Sequence, residues 1–316
     1  SIQSNAGIVS GYSDQMYQRA GASIQPDAAS LYGAARLIIK VKEPWGDDLE
    51  YLQDHHLLFC FLHLAALPEL TRKLCDIGLT AIGFETVMDR GQLPLLAPMS
   101  NIAGRIAVQA GTHYLHSSMG GKGIMLGGLP SVERGEVVIL GAGNAGGNAA
   151  RLAAAMGATV TVFDKNPDKL QSLHREYDSI TALYPYRQSL DEAVQQADLL
   201  IGSILVPGAR AVHLVSRDQV ASMEPGSVIV DIAVDQGGCI ETTRPTNYEA
   251  PTFVDEGVLH FGVTNMPGAV PRTASAALSV ALIPYVLSLA DGLGDDAVMQ
   301  GAVNIRDGKV VYPALL

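Results

Sequence analysis

An α/β fold of two Rossmann-like domains with parallel sheets is what this sequence predicts, and three observations predict it. Residues 137–164 join a buried apolar strand, the triplet Gly141-x-Gly143-x-x-Gly146, a small-residue helix and a second strand closed by an acid. Strand and helix signals alternate along the rest of the chain, as they do where helices cross between parallel strands. The length of 316 residues suits about two domains, and the aliphatic, glycine-rich, aromatic-poor composition suits the α/β class.

Taken in order, the chain opens Ser-Ile-Gln-Ser-Asn-Ala-Gly without a recognisable first strand. Ser13 is placed to cap a short helix reaching Ala20. Residues 37–42, 57–62 and 81–84 read as strands, and 67–77 as the helix between the last two. They make a small parallel unit. Residues 100–116 have helical periodicity and lead into a second domain. Gly120-Gly121-Lys122-Gly123 and Gly127-Gly128 read as a flexible connection. No Gly-Lys-Ser/Thr closes them, so they are not a P-loop. After residue 164, strands are expected at 198–204, 227–233 and 260–263, with helices at 191–196 and 218–223. A last helix, 272–290, returns to the first domain and is expected to be buried between domains. The division is then a discontinuous substrate domain, 1–98 with 272–316, and an inserted dinucleotide-binding domain, 99–271.

A net charge of −11 without any Lys/Arg run argues against nucleic acid, whose phosphates need clustered cations. Cys60, Cys75 and Cys239 are odd in number and spaced for neither zinc nor a redox pair, which fits reduced thiols in a cytoplasmic protein. Cys60 and Cys75 read as core residues. Cys239, after two glycines, is either reachable from a site or a bystander. No signal peptide is visible in these residues, and none is expected. The longest apolar stretch, 274–290, holds Ser275, Ser279, Pro284 and Ser288, and reads as too short and polar to span a bilayer. No metal cluster is visible, so no metal is expected.

The glycine triplet sits in the setting that a dinucleotide needs. Gly141 permits the tight turn, Gly143 lets backbone approach a pyrophosphate, and Gly146 lets helix and strand close up. With Asn144 and Ala145 at the helix start, they offer free N–H groups to phosphate. Asp164 lies where a carboxylate takes ribose hydroxyls, which favours NAD; Lys165 beside it leaves NADP open. The alternative is a glycine-rich turn in another kind of α/β protein.

Ligands of parallel sheets bind at the carboxyl ends of strands, which singles out further residues. Lys40 and Lys42 point to one face, either to neutralise a carboxylate or as solvated lysines closing a strand. His63, flanked by apolar residues, suits proton transfer near neutral pH or a satisfied core position. Asp235, before a double glycine, either orients water and stabilises a cationic intermediate or closes a turn. Asp231 lies within the strand and reads as structural. Asn265, before Met266-Pro267-Gly268, either bonds a nicotinamide carboxamide or caps its turn.

Taken together, the chain resembles the alanine dehydrogenase family, which shares its fold with the first domain of the proton-translocating transhydrogenase. The residues that carry the resemblance are Ser10-Gly-Tyr-Ser-Asp, Val41-Lys-Glu-Pro, Leu62-His-Leu-Ala-Ala, Leu95-Leu-Ala-Pro-Met-Ser, Gly120-Gly-Lys-Gly, the Gly141 turn, Val230-Asp-Ile-Ala-Val-Asp-Gln-Gly-Gly and Asn265-Met-Pro-Gly-Ala-Val-Pro-Arg-Thr. The last two look more like alanine dehydrogenase than transhydrogenase.

The resemblance implies NAD-dependent interconversion of L-alanine with pyruvate and ammonium, in a homo-oligomer expected to be a hexamer. It implies that Lys42 holds the substrate carboxylate or carbonyl, and that His63 bonds the carbonyl oxygen and moves a proton. Asp235 handles water and the imine or amine, and Asp164 the adenosine ribose. Ser100, Ile232, Asn265 and Met266 contact the cofactor. The chain departs from the family twice. By the resemblance, this sequence is expected to start after the strand–helix segment that usually opens the family, so that the family's arginine on the substrate carboxylate is assigned to no residue in it. Loss of one such contact, ~1.5–3 kcal/mol, implies roughly ten- to hundredfold weaker kcat/KM, and a missing strand exposes a parallel edge. Asn101 stands where the family commonly has Glu. The competing readings are an opine-type or other amino-acid dehydrogenase, a transhydrogenase-like domain, and an NAD-binding relative without turnover.

Overall fold

The computed structural model describes residues 1–204 and 213–316. It divides into two compact units, one holding Ser1–Met99 and Ala269–Leu316, the other running from Ser100 to Gly268.

The first unit is built on a five-stranded sheet. Its spatial order is Lys309–Val310, Val303–Arg306, Thr80–Gly83, Leu57–Cys60, Leu37–Ile39. The last three are parallel, with Leu37 opposite Leu57 and Leu58 opposite Ala81. They are the three strands expected, ending three, two and one residues earlier. The other two pair antiparallel and were not legible in the sequence. Leu58, Leu62, Leu70, Leu74 and Ile305 pack one face of this sheet. Phe59, Ile82 and Phe84 pack the other, against Leu278, Leu289 and Met299. The helix Pro68–Ile77 starts on a proline whose missing N–H costs nothing there, and ends at Gly78 (φ 87°) in the left-handed conformation that a C-cap needs.

Three expectations for this unit need correction. The opening residues do contain a strand: Ile2–Gln3 pairs in parallel with Ile24–Gln25. Two residues of pairing are too few to leave an alternating pattern in the sequence. Ser13 does cap Asp14–Arg19, accepting the Met16 N–H at 3.4 Å, but the helix stops at Arg19. The Pro271–Leu289 helix is not buried as a whole. Leu278, Leu282, Tyr285 and Leu289 pack on the core, while Val280 and Leu287 on the opposite side are 73% and 69% exposed. A helix apolar all round reads as buried from composition alone. By length and composition it is also the one helix among the described residues able to cross a membrane.

The second unit carries a seven-stranded sheet, ordered Thr252–Asp255, Val258–Phe261, Val228–Asp231, Leu199–Gly202, Glu136–Leu140, Thr159–Phe163, Ile180–Leu183. All are parallel except Thr252–Asp255, which folds back antiparallel on Val258–Phe261. Counted along the chain from Glu136–Leu140, the parallel strands lie in the order 3-2-1-4-5-6. The order reverses between Glu136–Leu140 and Leu199–Gly202, and the crevice beyond their carboxyl ends is where such sheets bind ligands. The edge strand Ile180–Leu183 and its preceding helix, Pro167–Glu176, were missed. Only Ile180 of that strand is buried, so it lacks the apolar run that marks a central strand.

The expected flexible glycine connection is a packed turn. A Cβ on Gly121 would strike the Tyr114 carbonyl, Lys122 N–H donates to the Gly226 carbonyl at 3.0 Å, and the Lys122 ammonium pairs with Asp198 and Glu224. Glycine is needed there for close approach rather than for freedom of movement.

Candidate functional site

In the second unit the glycine turn leaves the Glu136–Leu140 strand at the reversal point. Gly141 has φ 102°, a left-handed conformation, and its N–H donates to the Phe163 carbonyl at 2.7 Å. Gly143 is the N-cap of the helix Asn144–Ala155 and provides no side-chain cap. A Cβ built on Gly143 meets nothing within 4 Å, whereas one on Gly146 runs into the Gly141 carbonyl oxygen. So Gly146 is required by packing, and Gly143 leaves open space beside uncapped helix N–H groups at Asn144 and Ala145. That cradle fits a pyrophosphate.

Asp164, at the end of the neighbouring strand, is held against this turn. One carboxylate oxygen accepts the Ala142 N–H at 2.7 Å and the other accepts Asn166 N–H at 2.8 Å. Each oxygen keeps a lone pair for a ribose hydroxyl. Ser203 braces the turn from the next strand, donating to the Leu140 carbonyl at 2.7 Å.

Half-buried Ser100 lies in the first turn of the helix Ala97–Tyr114. Asn101 Oδ1 accepts from Asn148 Nδ2 at 3.0 Å, and Arg105 Nε donates to Asn148 Oδ1 at 3.1 Å. Asn101, the residue that departs from the family pattern, thus ties this helix to the helix Asn144–Ala155. Gly104 lets the two backbones meet at Ala145. Gly104, Asn148 and Ser203 were not singled out from the sequence; only the small residue at 104 hinted at close packing.

The strand Val228–Asp231 passes into a tight 3₁₀ turn, Ile232–Gln236. Asp231 is fully buried and its carboxylate accepts N–H groups from Ala233 (3.0 Å), Cys239 (2.9 Å) and Ile240 (3.3 Å). Burial pushes its acid up, against these bonds. The result is a closed loop with exposed Asp235 at its tip and half-buried Ile232 at its start. Asp235 accepts the Asn265 N–H at 3.3 Å, so these two predicted residues are brought together. Asn265 is left-handed (φ 54°), and buried Met266 accepts the Tyr248 hydroxyl through its carbonyl at 2.8 Å. Cys239 is buried, its thiol pushed up by burial and by Asp231; it is a packing residue.

In the first unit the two lysines separate. Lys40 is taken by Asp48, which also accepts the Tyr32 hydroxyl at 2.8 Å and the Trp45 N–H at 3.2 Å. Lys42 is exposed and has no ion-pair partner among the described residues. Asp48 therefore anchors the loop on which Lys42 stands.

His63 follows the Leu57–Cys60 strand with φ 51°. Its Nδ1 lies 3.2 Å from Glu43 Oε2, and its ring stacks on Phe61 at 5.8 Å between centroids. Glu85 Oε1 accepts the backbone N–H groups of His63 at 2.6 Å and Leu62 at 3.0 Å. Burial pulls the imidazole down, but the Glu43 hydrogen bond and the charges of Glu85 and Glu43 outweigh it and raise it. The same His63 bond holds the Glu43 acid at about 2. His63 is thus half-buried, paired on one nitrogen, and without a hydrogen bond on Nε2 among the described residues. Glu43 and Glu85 were not predicted. Nothing in their local sequence distinguishes them from solvated acids.

Comparison with known proteins covers almost the whole chain. The alanine dehydrogenase/PNT N-terminal domain matches residues 1–103, and the alanine dehydrogenase/PNT C-terminal domain matches 107–313. The alanine dehydrogenase of Halomonas elongata is 46% identical over 321 residues, covering 99% of this chain and 86% of its own length. A solved L-alanine dehydrogenase superposes with a TM-score of 0.93 at 46% identity, covering 99% of this chain and 88% of that one. A solved transhydrogenase from Sinorhizobium meliloti gives 0.82 at 25% identity, covering 99% and 89%.

Proposed function

Because this chain belongs to the alanine dehydrogenase/PNT family, we propose that it is an NAD-dependent L-alanine dehydrogenase, interconverting L-alanine with pyruvate and ammonium. The observation that carries this reading is 46% identity to an alanine dehydrogenase along 99% of the chain, against 25% to a transhydrogenase. Both the α/β architecture and the pyrophosphate cradle agree with it.

Bound NAD supplies the hydride acceptor for the alanine α-carbon. The chain's own residues bind, orient and move protons. Lys42, unpaired among the described residues where Lys40 is not, offers its ammonium to the substrate carboxylate or carbonyl. His63 exchanges a proton at Nε2 with the substrate oxygen. It accepts as the hydrated imine collapses to the carbonyl, and donates in the reverse direction. Asp235 orders the attacking water and stabilises the cationic nitrogen. Ser100, Ile232, Asn265 and Met266 are assigned to the cofactor, with Asp164 on its ribose.

A homo-oligomer, a hexamer by kinship, is supported by the exposed side chains of Val280, Ile283 and Leu287 on one helix. Its other side packs on the core through Leu278, Leu282, Tyr285 and Leu289, which is the reason to read this helix as an interface rather than a membrane span. A cytoplasmic location is supported by the three free cysteines.

The test is NADH oxidation with pyruvate and ammonium, run beside other 2-oxo acids. Turnover with pyruvate that His63→Ala and Asp235→Ala both abolish is the expected outcome. Turnover only with another 2-oxo acid assigns a different amino-acid dehydrogenase. NADH binding with no turnover in a folded oligomer overturns the enzyme reading.

A further inference from the structure

We propose that Glu43 is the positioning residue of His63, fixing which ring nitrogen carries the proton and how strongly the other accepts one. The inference rests on the proton-exchange role given to His63 above and adds a residue to it.

Two carboxylates reach His63, and geometry divides their work. Glu85, just after the Thr80–Gly83 strand, is occupied by backbone: Oε1 takes the His63 and Leu62 N–H groups, and Oε2 takes the Leu62 N–H at 3.1 Å. That grip holds His63 in its left-handed conformation, which a residue with a Cβ adopts only when surroundings impose it. The ring itself is met by Glu43, whose Oε2 lies 3.2 Å from Nδ1. Glu43 stands on the loop that Asp48 anchors through Lys40 and the Trp45 N–H. An ionised carboxylate only accepts, so Nδ1 must carry the hydrogen and Nε2 keeps its lone pair. Phe61 stacked on the ring resists rotation about its axis.

The charged groups that face this imidazole are Glu43 and Lys42 from one loop and Glu85 from another. Two acids against one ammonium favour the imidazolium. In the collapse of the hydrated imine, protonated on nitrogen, the C–N bond breaks and ammonia leaves with its electron pair, while the O–H bond breaks, its pair closes the C=O, and an Nε2–H bond forms; the positive charge gained by the ring is met by Glu43 through Nδ1. In reverse, ammonia forms the C–N bond, the C=O π pair moves to oxygen, and the Nε2–H bond breaks as that oxygen takes the proton. No electrons change hands in this step, so no co-reactant is needed beyond the hydride chemistry.

Glu43→Gln separates this role from simple packing. It preserves side-chain size, removes the charge and offers an amide N–H to Nδ1, which favours the opposite tautomer, as loss of the orienting carboxylate does in serine proteases. The readout is ¹⁵N magnetic resonance of histidine-labelled protein, with His63→Asn supplying the assignment by difference. The expected result is a proton on Nδ1 in the parent and on Nε2 in Glu43→Gln, with the imidazole midpoint moved to lower pH. Turnover of alanine should fall at least about tenfold with KM changed less than about twofold, and Glu43→Asp should recover part of it. An unchanged tautomer and midpoint in Glu43→Gln overturns the proposal. If Glu43→Gln does not fold, Glu43→Asp decides by the same midpoint, which a purely structural role leaves in place. If the parent shows no turnover with alanine or pyruvate, the functional reading fails, while the spectra still decide what Glu43 does to the ring.

Discussion

Asp231 accepts the Cys239 backbone N–H at 2.9 Å, closing the chain on itself across the loop that presents Asp235. The same carboxylate takes the Ala233 and Ile240 N–H groups. Asp231→Ala leaves three buried donors without an acceptor. We expect a loss of about 3 kcal/mol or more in unfolding free energy, since each unsatisfied buried group costs about 1–3 kcal/mol. Thermal unfolding of the apoprotein checks this. Asp235→Ala, at the exposed tip, should leave the unfolding temperature nearly unchanged while removing turnover.

Gly143 and Gly146 should separate binding from stability. A Cβ at 143 meets nothing within 4 Å, and its φ of −74° is open to any residue. Gly143→Ala should therefore fold normally and bind NADH at least about tenfold more weakly, because the added methyl stands where the phosphate must approach. Gly146→Ala forces the helix off its strand and should cost about 1–3 kcal/mol of stability before any ligand is added. Calorimetric NADH titration beside thermal unfolding distinguishes them. Equal melting losses in both variants would refute the division.

The two lysines should behave differently. Lys42→Met should raise the KM for pyruvate roughly tenfold or more, from loss of a charge-assisted contact, with little change in unfolding. Lys40→Met breaks the pair with partly buried Asp48 and should cost about 1 kcal/mol of stability, with a smaller change in KM. Steady-state kinetics and chemical denaturation of each variant test this.

The Glu43–His63 pair gives a pH signature. The folded Glu43 acid, near 2, lies below its ordinary value, so its contribution is present above about pH 4.5 and lost as pH falls through about 2. The folded His63 imidazole lies above its ordinary value, so its contribution is full below about pH 6.5 and lost as pH rises through the folded value. The stability difference between parent and Glu43→Gln should thus be largest between about pH 4.5 and 6.5. It should amount to about 1–2 kcal/mol for a half-buried pair, and shrink on either side. With the proton-exchange role proposed for His63, alanine oxidation needs its neutral form and should rise with pH through the folded value; reductive amination should fall.

The sequence made the second unit legible because its signals are local. Gly141, Gly143 and Gly146 each answer a separate steric demand within six residues, and the run that leads into them, Val137 to Leu140, is apolar and fully buried. The edge strand Ile180–Leu183 was hidden because one buried residue makes no pattern. The Val303–Arg306 strand was hidden for a different reason: its partner, Thr80–Gly83, lies more than two hundred residues earlier. The Pro271–Leu289 helix was placed correctly along the chain but its burial was not, because a helix apolar on all sides does not announce which side meets the core.

By itself, the sequence determined the fold class and the glycine turn beside Asp164, which follow from short-range spacing. Residues 42, 63 and 235 were singled out by their places after strands, and given roles by the family resemblance. Tertiary structure alone decided that Lys40 is consumed by Asp48 while Lys42 is left exposed, that Glu85 holds the His63 backbone and Glu43 its ring, and that Asp231 closes the loop of Asp235. The physical reason is that a charge becomes structural or available according to what lies within about 3 Å of it. Such neighbours arrive from strands and loops that the chain order keeps apart.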